Sequence, residues 1–184
     1  MQSDQIQKAL FLDRDGVVNR NFHYVFDEKE FEFMPGIFDL CVWAKTKNYL
    51  IIIITNQSGI GRKIFSIEQY HKLTDWMLNE FSNKGCRIDL VMTSPIDPSN
   101  LLNSEALKFR RKPNPGMILD ACEIFSINKQ KSILIGDSDT DIEAGVTAGI
   151  KTLVKIGDKL KNYHGVHYFA NLHKLLNRID ELLL

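Results

Sequence analysis

Two aspartates stand two positions apart at the end of a short apolar run, in Leu12-Asp13-Arg14-Asp15-Gly16. In an extended chain, side chains two apart leave the same face. Gly16 permits a tight turn directly after the pair. Two close carboxylates repel each other unless a cation sits with them. Asp137, in Gly136-Asp137-Ser138-Asp139, follows another apolar run and supplies a third acid. A small hard cation such as magnesium takes few carboxylates and keeps several waters. One aspartate of the first pair can then attack phosphorus to form an acyl-phosphate. The other can move protons to the leaving oxygen and from the incoming water. Phosphoryl transfer also needs positive charge and hydrogen-bond donors around the transferring oxygens. Thr55 and Asn56 with the backbone N–H groups near them, Lys112, and the Ser58-Gly59-Ile60-Gly61-Arg62 loop with its Arg62 fit that need.

Taken singly, each element has an ordinary reading. A lone D-x-D is usually a turn or a solvated pair. Thr55-Asn56 can cap a strand, and a lysine before a proline can be a surface lysine. Asp137 and Asp141 can be a helix N-cap and a first-turn acid favoured by the helix dipole. The conjunction carries the functional reading, because the four clusters fall at strand or helix ends where one fold would gather them.

The elements that must gather them follow from the pattern. Residues 9–12, 50–54 and 133–135 are continuously apolar. Strands buried on both faces read this way, and they belong to parallel sheets covered by helices. Residues 87–92 and 151–156 are weaker strand candidates. Helical spacing appears over residues 36–47, 66–83, 115–125, 139–148 and 170–184. The second of these opens on a capping-box pattern, Ser66-Ile67-Glu68-Gln69. The third opens on Pro115, which suits a first helical turn. Alternating strands and helices imply βαβ units and a doubly wound α/β sheet, in which ligands bind outside the carboxyl ends of the strands. No repeat or linker divides the chain, so a single domain over residues 1–184 is expected. The intervals between Asp13, Thr55 and Lys112 are used by core elements, so no separate cap domain is expected.

Composition excludes little beyond that. Lys+Arg and Asp+Glu both number 23, giving a net charge of zero, which argues against nucleic acid or a membrane surface as partner. Three cysteines, none in a C-x-x-C, argue against a disulfide framework or a cysteine metal site. The polar start and the shortness of the apolar runs suggest neither a signal peptide nor a membrane span. A cytoplasmic protein with a small-molecule substrate is expected; oligomeric state is not legible.

Asp13-Arg14-Asp15-Gly16-Val17-Val18-Asn19, Thr55, Lys112 and Gly136-Asp137-Ser138-Asp139-Thr140-Asp141 resemble, in order and spacing, the four motifs of haloacid dehalogenase (HAD) phosphatases. Thr55-Asn56-Gln57-Ser58-Gly59-Ile60 and Arg111-Lys112-Pro113 with Pro115-Gly116-Met117 resemble the heptose bisphosphate phosphatase and histidinol phosphatase branch. The resemblance implies a Rossmann-like core and magnesium. It implies Asp13 as nucleophile and Asp15 as general acid/base. Thr55 and Lys112 become phosphate binders, and Asp13, the Asp15 carbonyl and Asp137 metal ligands, with Asp141 in support. A heptose 1,7-bisphosphate is the first substrate expected, histidinol phosphate the second. A nucleic-acid-end phosphatase and a non-catalytic module on the same fold are the remaining alternatives; the intact motif acids and Lys112 oppose the latter.

This chain departs from the branch in one respect. Members often carry a zinc loop of cysteines and a histidine, but residues 93–112 contain neither, so no zinc is expected. Pro95, Pro98, Leu101 and Leu102 are expected to order that stretch instead. Arg62, Lys63, Lys108, Arg110 and Arg111 bring more positive charge than one phosphoryl group requires, and Arg111 is the candidate for a second phosphate. Residues 20–34 are expected to form a flap whose phenylalanines pack onto the domain. His164, His167 and His173 are read as surface residues.

Overall fold

The computed structural model describes residues 6–100, 102–157 and 163–183. Six strands form one sheet: β1 (Lys8–Leu12), β2 (Tyr49–Asn56), β3 (Leu90–Ser94), β4 (Ile133–Gly136), β5 (Thr152–Ile156) and β6 (Val166–Phe169). Their order is β3-β2-β1-β4-β5-β6, and every neighbouring pair is parallel. This is the doubly wound, Rossmann-like arrangement.

Alternation within the apolar runs explains why those runs are continuous. Leu10, Leu12, Ile51, Ile53, Ile133 and Ile135 face one core, with α1 (Ile37–Thr46), α3 (Ile67–Asn83) and α7 (Leu172–Leu176). Ala9, Phe11, Ile52, Ile54 and Leu134 face a second core, with α5 (Gly116–Phe125) and α6 (Asp139–Ala148). Both faces are covered, so these runs carry no polar residues. The strand order reverses beside β1, which pairs with β2 on one side and β4 on the other. The crevice at the carboxyl ends of β1 and β4 is therefore where a ligand belongs.

Local signals act as expected in most places. The Ser66 capping box is made, with reciprocal bonds between Ser66 and Gln69. In the flap, Phe31 packs on Trp76 and Phe33 with ring centroids 5.4 and 4.9 Å apart. Phe26 stacks on Phe65 at 5.4 Å, whereas Phe22 is 52% exposed. The strand expected over residues 87–92 begins at Leu90 instead. The Asp89 carboxylate just before it is turned to accept from Ile51 N and Lys45 Nζ. The helix expected over residues 170–184 is shorter: Asn171 caps α7, which ends at Leu176, and a 3₁₀ turn spans Ile179–Leu183. Leu184 lies outside the described residues. β6 and the short helices α2 (Ser58–Gly61) and α4 (Glu105–Phe109) were not expected from the sequence. Among the described residues no helix is long and apolar enough to cross a membrane.

Candidate active site

Lys112 is the centre of the site and is 3% exposed. Its ammonium donates to Asp13 Oδ1 at 2.6 Å, Asp141 Oδ1 at 2.5 Å and Ile54 O at 2.8 Å. An ammonium has three protons, so each one finds an acceptor. Asn56 fixes the Lys112 backbone from both sides: its Nδ2 donates to Lys112 O at 2.9 Å and its Oδ1 accepts from Lys112 N at 3.1 Å. Asn56 was expected to bind phosphate; its side chain is spent on positioning Lys112.

Asp13 follows β1 directly, and its N–H donates to Ile135 O on β4 at 3.0 Å. Asp15 is held by four hydrogen bonds. Arg14 donates through Nε at 3.1 Å and Nη2 at 3.0 Å, Asn19 Nδ2 at 3.0 Å and Gln57 Nε2 at 2.8 Å. Arg14 is itself buried and also donates to Val25 O. Thr55 is buried and its hydroxyl accepts from Gln57 Nε2 at 2.8 Å. Neither Arg14 nor Gln57 was singled out from the sequence. The arginine inside Asp-Arg-Asp was the available signal for the first.

Asp137 follows β4. Gly16, at φ +105°, allows it to approach: a Cβ there would lie 2.0 Å from Asp137 Oδ2. Asp141, in the first turn of α6, accepts on its other oxygen from Ser138 N at 3.0 Å and Ser138 Oγ at 2.6 Å. One oxygen from each of Asp13, Asp137 and Asp141 lies within 4.8 Å of the others. Three carboxylates thus face a single ammonium. Burial and the neighbouring acids push the Asp13 carboxyl well above the usual range despite Lys112. Burial and Asp141 push Asp137 up to about 6. Burial disfavours the Lys112 ammonium, but Asp13 and Asp141 outweigh it and hold its pKa above the ordinary lysine value. One ammonium does not balance three carboxylates, and the acids offer hard oxygen donors, which fits a magnesium ion.

A pH dependence follows. Asp13 and Asp137 have folded-state pKa values raised above their unfolded values, so the folded protein holds protons that the unfolded chain has released. Their contribution therefore destabilises the metal-free fold as pH rises through about 6 for Asp137. A divalent ion must displace those protons, so its stabilisation grows over the same range. The rise in Tm produced by magnesium is expected to be larger at pH 7.5 than at pH 5. Equal shifts by differential scanning fluorimetry at both pH values would contradict this.

The remaining candidates lie at the rim. Arg62 is committed to Asp97 and Tyr24, Lys108 to Glu105 and Arg110 to Asp120. Arg111 is partly buried and donates from Nη1 to Ile96 O at 3.4 Å. Of these four cations, Arg111 alone makes no ion pair among the described residues. Burial first, and then the charge of Arg62, lower its pKa. Leu102, expected to help order the stretch after β3, is instead 93% exposed; Leu101 lies outside the described residues. Polar contacts of Asp97, Asn100 and Asn103 hold the described part of that stretch together, and Ile96 is its buried apolar anchor. His164, His167 and His173 are exposed and join no metal-capable group among the described residues.

Residues 109–165 match the HAD-hydrolase-like family model. The D-glycero-alpha-D-manno-heptose-1,7-bisphosphate 7-phosphatase of Burkholderia mallei is 46% identical over 153 residues, 83% of this chain and 81% of that protein. The corresponding beta enzyme of Rhodopseudomonas palustris is 42% identical over 143 residues, 77% of this chain and 79% of its own. The D,D-heptose 1,7-bisphosphate phosphatase of B. bronchiseptica, solved with magnesium and phosphate, shares the fold. It superposes with a TM-score of 0.83 at 23% identity, covering 95% of this chain and 99% of that one.

Proposed function

The chain belongs to the heptose-1,7-bisphosphate 7-phosphatase family of HAD-like phosphatases, and from that membership we propose that it removes the C7 phosphate of D-glycero-D-manno-heptose 1,7-bisphosphate with magnesium. The observation that carries the mechanism is the buried Lys112 ammonium joining Asp13 to Asp141 beside Asp137. Asp13, Asp137 and the main-chain carbonyl of Asp15 would hold the ion. When bound, the ion offsets the surplus negative charge and polarises a phosphoryl oxygen.

Asp13 attacks phosphorus with one carboxylate oxygen, forming an aspartyl-phosphate while the ester P–O bond breaks. Asp15 gives its proton to the departing C7 oxygen. It then takes a proton from water, which attacks the same phosphorus and returns Asp13 as a carboxylate. Arg14, Asn19 and Gln57 aim Asp15 for both transfers. Lys112 holds Asp13 in line and shares the negative charge of the phosphoryl oxygens, and Thr55 with the backbone N–H groups after it supplies further donors. The stretch of residues 93–112 contains no cysteine or histidine, so zinc has no part in this reading.

Arg111, partly buried and in no ion pair among the described residues, is the residue assigned here to the C1 phosphate. The assay is phosphate release from both anomers of heptose 1,7-bisphosphate, from heptose 7-phosphate, histidinol phosphate and p-nitrophenyl phosphate, with and without magnesium. The bisphosphate is expected to be the best substrate, and Arg111→Ala is expected to lower its kcat/KM by about tenfold or more while affecting p-nitrophenyl phosphate much less. Histidinol phosphate turning over as fast as the bisphosphate would overturn the substrate reading. The two relatives differ in anomer, and the same assay reads it here.

A further inference from the structure

The segment after β3 is docked through backbone contacts and tied to the flap by one side chain. α2 approaches it so closely that a Cβ on Gly61 would lie 2.5 Å from Asp97 N and 2.7 Å from Pro95 O. Gly61 N donates to Pro95 O at 2.9 Å. The next residue, Arg62, donates from Nε to Asp97 Oδ1 at 3.2 Å and from Nη1 to Tyr24 Oη at 2.9 Å. Tyr24 belongs to the flap and holds a positive φ of 51°. Asp97 also accepts on its carboxylate from Ser99 N at 3.0 Å and on its carbonyl from Asn103 Nδ2 at 2.7 Å. Ile96, immediately before it, is buried and offers its carbonyl to Arg111. One guanidinium therefore joins the flap, α2 and the loop on which Arg111 rests.

We propose that Tyr24, Arg62 and Asp97 form a latch that positions Arg111 for the non-reacting phosphate of the sugar bisphosphate. The proposal rests on the bisphosphate reading above. Arg62 and Arg111 are like charges close enough to act on each other, and Asp97 acts favourably on both. The Asp97 carboxylate thus offsets part of that like-charge interaction. Two of the five N–H donors of Arg62 go to Asp97 and Tyr24, and in the latch it serves as a positioning residue. The latch works without metal ligands, in a stretch that has none.

The test compares heptose 1,7-bisphosphate with heptose 7-phosphate, which has the same leaving oxygen and no C1 phosphate. Asp97→Ala is expected to raise KM for the bisphosphate about tenfold with kcat little changed, and to alter heptose 7-phosphate far less. Asp97→Glu recovers most of the loss. Tyr24→Phe, which removes a single hydroxyl, shifts KM in the same direction by less. In an Arg111→Ala background Asp97→Ala adds nothing, as a double-mutant cycle reads coupling. Losses that multiply in that background, or equal losses on both substrates, overturn the latch. A wild-type enzyme with no preference for the bisphosphate overturns both the latch and the substrate reading. A wild-type preference that Asp97→Ala leaves intact overturns the latch alone.

Discussion

Asp13→Asn is expected to lower kcat by at least about 10⁴-fold, because removing the nucleophile of a covalent mechanism removes the whole unit that depends on it. The replacement is nearly isosteric, and its amide oxygen can still accept from Lys112. The fold loses little, because Lys112 keeps Asp141 and Ile54 O as partners. It also loses a buried negative charge where three carboxylates face one ammonium. Melting without metal should therefore be unchanged or higher, while the gain from magnesium shrinks. Mass spectrometry of quenched enzyme should find a phosphorylated Asp13 in the wild type and none in the variant. More than about one hundredth of wild-type turnover, in a variant free of restored aspartate, would remove Asp13 from the nucleophile's role.

What was legible in the sequence is what local chemistry dictates. The apolar runs before Asp13, Thr55 and Asp137 read as short strands covered on both faces, and that reading put these residues at the carboxyl ends. Ser66 and Gln69 announced α3 through a contact four residues wide. β6 was hidden because Val166-His167-Tyr168-Phe169 is a half-buried edge strand with a polar residue in it. The roles of Asn56 and Gln57 were hidden for a different reason. Each serves a residue distant in the chain, Lys112 in one case and Asp15 in the other. Nothing in the run from Thr55 to Ile60 says which of its polar groups turns toward phosphate and which toward backbone. Arg14 shows the same limit: its neighbours name a pairing with Asp15, but only tertiary packing buries it. Leu102 misled because hydrophobicity was read as anchorage, whereas its side chain stands in solvent.

Replacing Lys112 should do more damage to the fold than replacing Asp13, although both are members of one ion pair. Lys112→Ala leaves Asp13 and Asp141 buried against each other with no cation between them. Removing one partner of a buried pair costs about 3–5 kcal/mol, and here one lysine serves two acids. Arginine is not a rescue, since a planar guanidinium cannot direct three donors to Asp13, Asp141 and Ile54 O from the volume of an ammonium. The cost must depend on pH with a definite sign. Without Lys112, Asp13 loses the one neighbour that lowers its pKa and takes a folded-state value further above its unfolded one. Protonation then relieves the repulsion, and stability is lost as pH rises through the raised values. The deficit relative to wild type, measured by urea unfolding without metal, should be larger at pH 7.5 than at pH 5. Magnesium should recover part of the stability at pH 7.5, because it supplies positive charge to the same carboxylates. It should not recover turnover, because a phosphoryl group then meets neither the ammonium nor an Asp13 held in line. Rates should stay at least about 10²–10³-fold down, the cost of losing one preorganised donor in such sites. A Lys112→Ala protein as stable as wild type at pH 7.5 without metal would show that the ammonium does not hold these acids together. The central role given to it in this site would then fall with that result.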